Sequence, residues 1–487
     1  MIHEQSDTRV PVIPMLKTPF LATVAIRIPL GCLALLMGCG VAAVASTQTR
    51  TIRVVAYNVD ADINGATTPL PGLIAPSAGG SVTNGGVLEG IGEEILGSDP
   101  AQPIDILALE EATSNTATVQ PIVDGLNAFY NSPGMYAMSP YQPTSSGGID
   151  RGGGPNALVY NTRTVQLIAS VPVDPPGGTN QLGPASGEYR EVIRYEFAPA
   201  GLTPTTNNEF YLYVSHYKAR ATDRDKGLRK GEAQIIRNDE ANNLPADARV
   251  LYVGDYNIST SGEASYQIMI AATAPNGIAR GQAIDPLNPS GDSNIDWSVD
   301  SMLALKSETS TSLHWRFDFQ LMTSNVYYGV PGGLALVPGT YHIFGNNGTT
   351  PYHGSVNSSS NTALNTSLAR GATVTGAALY QDLTTASDHL PVVADYTIPL
   401  PPLVASFTAS PTNGVGPLAV TFTDTSTGNV TNRFWNFGDG SATNVTTNVV
   451  LHTYNTAGSY SVAETVRGIG GSTTNTHSTY ITVRTRF

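Results

Sequence analysis

The chain alternates between short apolar runs that stop on polar residues and long stretches rich in glycine, serine, threonine and asparagine. Thr51–Asp60 reads as a β-strand with polar residues at its tip, and Ile104–Glu111 as a buried strand ending on two carboxylates. Val87–Leu96 and Val119–Tyr130 carry helical patterning. Asn156–Tyr160, Val165–Val171 and Tyr189–Phe197 predict a strand meander. Phe210–His216 is a further strand that ends on histidine. Asp225–Asn243 is rich in Lys, Arg, Glu, Ala and Ile and gives the clearest helix signal in the chain. Val250–Asn257 follows as three apolar residues, Gly254, and then Asp255 and Asn257 one residue apart. Extended geometry would turn those two side chains to the same side, although taken alone Gly-Asp-x-Asn is a turn signal. Ser259–Trp297 is an excursion predicted to form a surface lobe. Trp315–Leu321 is a strand, the region up to about residue 375 a second insertion, and Ser387–Tyr396 closes the domain.

Strands interleaved with a few helices, each delivering polar groups at its end, predict an α/β layered domain whose site gathers at one edge of the sheets. Ile398–Pro402 reads as a stiff linker. From Leu403 the pattern becomes period-2, in Ser406–Thr408, Val420–Thr423, Arg433–Phe437, Tyr460–Val462 and Tyr480–Val483, with turn residues between. This predicts a small all-β sandwich. The expected division is 1–45, 49–398, a proline-rich linker at 399–402, and 403–487.

Composition narrows the class. The 487 residues are 41% hydrophobic and only 13% charged, against about 25% charged in an average globular protein. That fits a loop-rich, β-rich secreted protein. The net charge of −13 excludes a general polyanion-binding surface. One basic cluster stands out: Lys218, Arg220, Arg224, Lys226, Arg229, Lys230 and Arg237, either a solvated helix face or an electrostatic funnel for phosphate groups. The two cysteines, Cys32 and Cys39, fall in an apolar segment that follows Arg27. With Ala43-Val44-Ala45 it predicts a secretory signal peptide cleaved after Ala45. Leu36–Cys39 also reads as a lipoprotein box, which would attach a lipid to Cys39. Cleavage after Ala45 leaves a mature chain with no cysteine, and hence no disulfide or thiolate–metal site.

The strand ends together offer Asn58 and Asp60, Glu111, His216, Asp255 and Asn257, Asp318, and Asp388 with His389. Each alone reads as a cap, a solvated carboxylate or a satisfied histidine. Jointly they suit metal-assisted hydrolysis of a phosphate ester, which needs a hard cation, a base and stabilisation of the leaving oxygen. Glu111 is the first candidate metal ligand, with Asn58, Asp60 and Asp388 in support. An oxygen-rich set favours Mg²⁺, with Mn²⁺ or Ca²⁺ as alternatives. His389 is the candidate base, its ring held by Asp318.

In this order, Tyr57–Asp60, Asp105–Glu111, Ser215–Lys218, Gly254–Asn257, Arg316–Phe319 and Ser387–Pro391 resemble the motifs of the endonuclease/exonuclease/phosphatase superfamily over residues 51–397. The resemblance implies a four-layer α/β sandwich of two packed mixed sheets flanked by helices. It implies that Asp255 orients the nucleophile or serves the leaving group, that Asn257 and His216 bind phosphate oxygens, and that Arg190 and Lys218 contact substrate. Glu110 departs from the family's usual glutamine and would add negative charge near the metal. Trp435–Gly440 and His452–Tyr460 resemble the polycystic-kidney-disease (PKD) repeat, an immunoglobulin-like sandwich that would serve as spacer or adhesion element. The expected protein is a monomeric, secreted or surface-held, metal-dependent nuclease with no stable protein partner. The alternatives are a phosphatase or phospholipid phosphodiesterase on the same fold, or a non-catalytic surface adhesin.

Overall fold

The computed structural model describes residues 48–61, 71–79, 81, 84–94, 102–140, 156–173, 190–330, 333–365, 376–400, 402–468 and 471–486. The expected signal peptide over 1–45, with Cys32 and Cys39, lies outside the described residues.

In chain order the first domain runs β1 (Gln48–Asn58), α1 (Val87–Gly92), β2 (Ile106–Glu110), α2 (Gln120–Phe129) and β3 (Tyr136–Met138). It continues with β4 (Ala157–Asn161), β5 (Val165–Pro172), β6 (Val192–Pro199), β7 (Phe210–Ser215), α3 (Asp223–Asn243) and β8 (Val250–Asp255). After these come α4 (Ala264–Ile270), β9 (Ala283–Ile284), β10 (Asp318–Thr323), α5 (Ser324–Tyr327), β11 (Ala335–Leu336), β12 (His342–Ile343), α6 (Gly376–Ala386) and β13 (Val392–Leu400).

Among the described residues these strands form two sheets. One is ordered β11-β13-β1-β2-β4-β3, with β12 also on β13, and the other β5-β6-β7-β8-β10-β9. The sheets pack face to face, and period-2 alternation decides what each side meets. On β8, Leu251 and Val253 join Val54, Ile106 and Leu212 between the sheets. Val250 and Tyr252 point the other way, into a second core with Ile235 and Ile236 of α3 and Met269 of α4. Helices α1, α2 and α6 cover the outer face of the first sheet, and α3 with α4 covers the second. This is the expected four-layer α/β sandwich. Each fully buried Leu, Ile or Val contributes on the order of 1.5–3 kcal/mol. Gln320, fully buried between the sheets, donates from Nε2 to the carbonyls of Val54 (3.0 Å) and Val392 (2.6 Å) and accepts from the Tyr396 hydroxyl.

The register explains why one rim collects the polar strand ends. β1 is parallel to β2, and β7 is parallel to β8, so all four finish at the same edge. β13 runs antiparallel to β1 and β10 antiparallel to β8, so those two strands begin where the others end. The C-terminal tips of four strands therefore meet the N-terminal starts of two.

Two expectations are corrected. The excursion at 259–297 is not merely a surface lobe. Its α4 packs on α3, and Trp297 is fully buried against Tyr266 and Phe319. Indole and tyrosine faces supply apolar area that the Gly/Asp/Asn-rich composition concealed. Nor does the linker begin at Pro399, since β13 continues to Leu400, with Pro399 opposite Thr49 and Leu400 opposite Gln48 on β1.

The C-terminal sandwich consists of β14 (Phe407–Ser410), β15 (Asn413–Val415), β16 (Leu418–Asp424), β17 (Val430–Asn436), β18 (Ala442–Val445), β19 (Val449–Tyr454), β20 (Gly458–Gly468) and β21 (Gly471–Arg484). The two sheets, β14-β16-β19 and β15-β21-β20-β17-β18, enclose Phe407, Val420, Phe422, Trp435, Phe437, Tyr454 and Ile481.

Candidate active site

Gly254 sets the geometry of the β8 tip. Its φ is +133°, and a Cβ there would lie 1.9 Å from the Ser215 carbonyl of β7. Only glycine permits that approach, which brings the ends of β7 and β8, and so His216 and Asp255, side by side. Beyond it, Asn257 adopts φ +50°. The turn is not extended, so Asn257 does not follow Asp255 onto one side as alternation alone suggested. Its backbone N–H donates to Asp255 Oδ1 (2.8 Å) and its Nδ2 to the Tyr217 carbonyl (3.1 Å). Tyr217 and Tyr256 stack behind the loop with centroids 4.4 Å apart.

Asp255 is the hub. Its Oδ2 lies 3.3 Å from His216 Nε2, 3.3 Å from Asn58 Nδ2 and 3.8 Å from His389 Nε2. His389 holds its other nitrogen, Nδ1, against Asp318 at 2.9 and 3.1 Å. Asp318 faces Asp255 directly across the β10–β8 ladder. Asn58 Nδ2 also donates to Glu111 Oε1 (3.0 Å), and that oxygen lies 3.5 Å from His216 Nε2. Glu111 sits at φ +57°, just past β2. Asn58, Glu111, His216, Asp255, Asp318 and His389 are all buried, at 6% exposure or less.

Electrostatics separates the groups. Burial would raise Asp255, but the His216 and His389 charges and the Asn257 N–H outweigh it and bring its pKa down to about 2. Burial, with the Arg190 charge beside it, pulls His216 down to about 4, so it is neutral at pH 7. Burial also opposes charge on His389, yet Asp318 and Asp255 hold its pKa well above the usual imidazole range. Burial raises Asp318. Glu110 is fully buried beneath the loop, both its oxygens lack a hydrogen-bond partner, and burial lifts its pKa well above the carboxylate range. Burial without a partner thus disfavours the negative charge expected from Glu110 at the departure from glutamine.

The sequence-predicted residues divide. Asn58, Glu111, His216, Asp255, Asp318 and His389 converge. Asp388 is on the rim, half exposed, with Oδ1 3.8 Å from His389 Nε2. Asp60 lies past β1 at φ +47°, its N–H bonded to Asn58 Oδ1 (3.0 Å). Neither Asp60 nor Asp388 belongs to the two groups of converging ligand atoms, Glu111–His216–Asp255 and Asp255–Asp318–His389. His216 and Asp255 are the groups whose ligand atoms stand beside those of Glu111. Asn58 presents its amide nitrogen to the carboxylates, because the Asp60 N–H holds its oxygen. Arg190 Nη1 donates to the Tyr217 carbonyl (2.8 Å) and its charge reaches His216. Lys218 is buried, with its backbone N–H on Glu232.

The basic cluster is only partly a surface. Arg229 is buried on Glu263 and on the carbonyls of Lys218 and Arg220. Arg237 is buried on the carbonyls of Ile268, Met269 and Ala271. Arg220, Arg224, Lys226 and Lys230 are exposed. The two buried arginines tie α3 to α4, and this work is invisible in a count of charges.

Glu308 was missed. It pairs by backbone with both His389 and Trp315, and burial pushes its carboxyl up to about 7. Ser307 stitches the same strap, accepting from the N–H groups of Phe317 and Asp318 and bonding through its carbonyl to Leu390 N–H (2.7 Å). No local signal marks Ser-Glu-Thr, because its link to the site runs through His389 and Leu390, which are distant in sequence.

Carboxylates and a neutral imidazole, with ligand atoms within 4.8 Å of one another, form a donor set that fits a divalent cation held by Glu111, Asp255 and His216.

Residues 401–483 match the PKD domain family, so the C-terminal sandwich is a PKD domain. No curated protein matches the chain. Among solved structures the chain is similar to the human Nocturnin catalytic domain with bound sulfate, at 15% identity over 72% of this chain and 96% of that one, TM-score 0.39. It is similar to TDP2 from Caenorhabditis elegans at 14% identity, covering 71% and 74%, TM-score 0.37. An endonuclease/exonuclease/phosphatase family protein from Bacteroides thetaiotaomicron is 11% identical, covering 73% and 100%, TM-score 0.35.

Proposed function

We propose that the chain is a metal-dependent phosphoesterase, and specifically a nuclease that hydrolyses phosphodiester bonds. The observation that carries this is the Asp318–His389 pair aimed at Asp255, with Glu111 and His216 on the far side of the same carboxylate.

Asp318 accepts from Nδ1–H of His389 and so fixes the tautomer, leaving Nε2 directed into the cleft. The 3.8 Å between Nε2 and Asp255 exceeds a hydrogen bond, so Nε2 remains open to take a proton from an attacking water. Asp255, ionised throughout the physiological range, accepts a hydrogen bond from that water or from the leaving oxygen's proton donor. A bound Mg²⁺, or Mn²⁺ or Ca²⁺ in its place, would supply charge neutralisation of the phosphoryl oxygens and offset the carboxylate field that keeps His389 protonated. His216, neutral, would hold the cation together with Glu111 and Asp255, with Arg190 adding positive charge behind it. The PKD domain acts as spacer or adhesion element, and the apolar N-terminal segment directs the protein out of the cell.

The test is a substrate panel of plasmid DNA, RNA, sphingomyelin and a phosphomonoester, each with Mg²⁺, Mn²⁺ or Ca²⁺. Nucleic acid cleavage that disappears on chelation, and in Glu111→Ala and His389→Ala, is the expected result. Hydrolysis of phospholipid or monoester alone would replace the nuclease assignment. Activity unchanged in both variants would remove the site.

A further inference from the structure

Next to Asp318 the chain carries a ladder of rings that the chemistry above does not use. Phe317 lies parallel to Trp315, with centroids 5.7 Å and planes 5° apart, and Trp315 stacks on His314 at 4.1 Å and 3°. His314 then meets His353 at 4.3 Å and the edge of Tyr352 at 5.4 Å, and Tyr352 and His353 are themselves 4.0 Å apart. Phe317, Trp315, His314 and Tyr352 are all half-buried, and His353 is exposed. Large rings ordinarily complete a core. Nearby, Trp297, Phe319 and Tyr266 pack on one another and are fully buried. The ladder instead stays at the surface.

Its position relative to the site is fixed by backbone pairing. Glu308 lies between His389 on one side and Trp315 on the other, in antiparallel bridges. Two ladder spacings put the Trp315 backbone about 10 Å from that of His389. The outer rings are anchored as well: Leu313 N–H bonds to the Gly354 carbonyl (3.0 Å), and His353 N–H to the Leu313 carbonyl (3.1 Å). Flat faces at this distance from a phosphate-cleaving centre lie within reach of a base beside the scissile phosphate. Four of the five rings also carry a polar nitrogen or oxygen at the edge. Faces that combine stacking with hydrogen-bonding edges suit a nucleobase, whereas an acyl chain has no use for the edges.

We propose that this ladder is the base-binding platform of the site and that the substrate is single-stranded nucleic acid, or a frayed end, with a base adjacent to the scissile phosphate stacked on the Phe317–Trp315 end. The outer rings, His314, Tyr352 and His353, back the Trp315 ring and hold it in place. This specifies the substrate class of the phosphoesterase activity proposed above and rests on it. Stacking tolerates any base, so the preference would be for strand state and not for sequence.

Two measurements on the full chain test the platform. In the first, kcat/KM is compared between a single-stranded oligonucleotide and an abasic oligomer of the same length, which keeps the phosphates and removes the bases. Trp315→Ala and Phe317→Ala should lower the ratio of the two by roughly ten- to a hundredfold, through KM, given the strength of base–aromatic stacking. Trp315→Phe should restore most of it, and exposed His353→Ala should lower it by less. Equal loss on both substrates would show that the rings only brace the His389 strap, and an unchanged ratio would also overturn the proposal. In the second, quenching of tryptophan fluorescence by the oligonucleotide is followed under chelation, without turnover. Quenching that is lost in Trp315→Phe supports the platform even if no cleavage is found, which separates its failure from that of the phosphoesterase assignment. A fluorescence blue shift on sphingomyelin–phosphatidylcholine vesicles, with no response to oligonucleotide, would assign the rings to a lipid surface and overturn the proposal.

Discussion

The protein contains two histidine–aspartate pairs that look alike in composition and differ in consequence. In the first domain His389 Nδ1 binds Asp318 at 2.9 Å, and both side chains are buried. In the PKD domain His452 Nε2 binds Asp439 at 2.8 Å and meets Ser441 Oγ at 3.4 Å. The second constellation holds serine, histidine and aspartate, the residue types of a nucleophilic triad. It lacks the geometry, because a triad uses one ring nitrogen for the carboxylate and the other for the hydroxyl. In the PKD domain a single nitrogen takes both, and the ring lies flat on Phe437, 4.0 Å away and 6° from parallel. His389, by contrast, keeps Nε2 directed at Asp255 in the cleft. Chemistry therefore depends on what the second nitrogen faces, and residue types alone do not reveal it.

The contrast is broken or sharpened most strongly by the histidines themselves. His389→Ala should cut hydrolysis by about 10²–10⁴-fold, and His452→Ala should leave it unchanged, as read by initial rates on the same substrate. A comparable loss from His452→Ala would erase the distinction. Asp318→Asn comes next, with a fall of about 10²-fold or more in kcat. It also removes the charge that holds the His389 pKa up, so the acid limb of the pH–rate profile should move to lower pH. An unmoved limb would mean that Asp318 does not act through His389.

A third expected effect concerns stability in the PKD domain. Glu464 is fully buried, and burial together with the Asp424 charge lifts its pKa to about 8. Its folded-state pKa exceeds the unfolded value near 4.5, so the protonated form favours folding. That stability is fully present below about pH 4.5 and is lost as pH rises through 8. Thermal melts of the full chain should show the PKD transition falling between pH 5 and 8.5, and Glu464→Gln should flatten that slope. The smallest effect is that of the hairpin pair: His452→Ala should destabilise the PKD domain by about 1 kcal/mol, through lost stacking and one hydrogen bond, measured by the same melts.

Much of the active rim is legible in the chain. Each of Asn58, Glu111, His216, Asp255, Asp318 and His389 stands at the end of an apolar run, and an α/β layering places such ends at a sheet edge. What misled was local inference about side-chain direction. Asn257 looked like a partner of Asp255 on one face, but its left-handed backbone turns its amide to Tyr217. Arg229 and Arg237 counted as surface charge, yet backbone carbonyls from neighbouring loops bury them. Glu308 went unnoticed because its significance lies wholly in its pairing with His389, 81 positions later by number.

By itself, then, the sequence determined the strands, their polar tips, the clearest helix, the α3 segment, and the change to period-2 patterning beyond Leu403. These follow from local burial periodicity and from turn residues, which neighbours along the chain suffice to specify. Only the tertiary structure decided which tips meet, which nitrogen of His389 is free, and that Glu110 is buried without a partner. Those facts depend on contacts such as Ser387 Oγ on the Asn58 carbonyl, 329 residues apart. Such contacts are set by sheet register and by the dielectric of the assembled core, and neither exists until distant strands have come together.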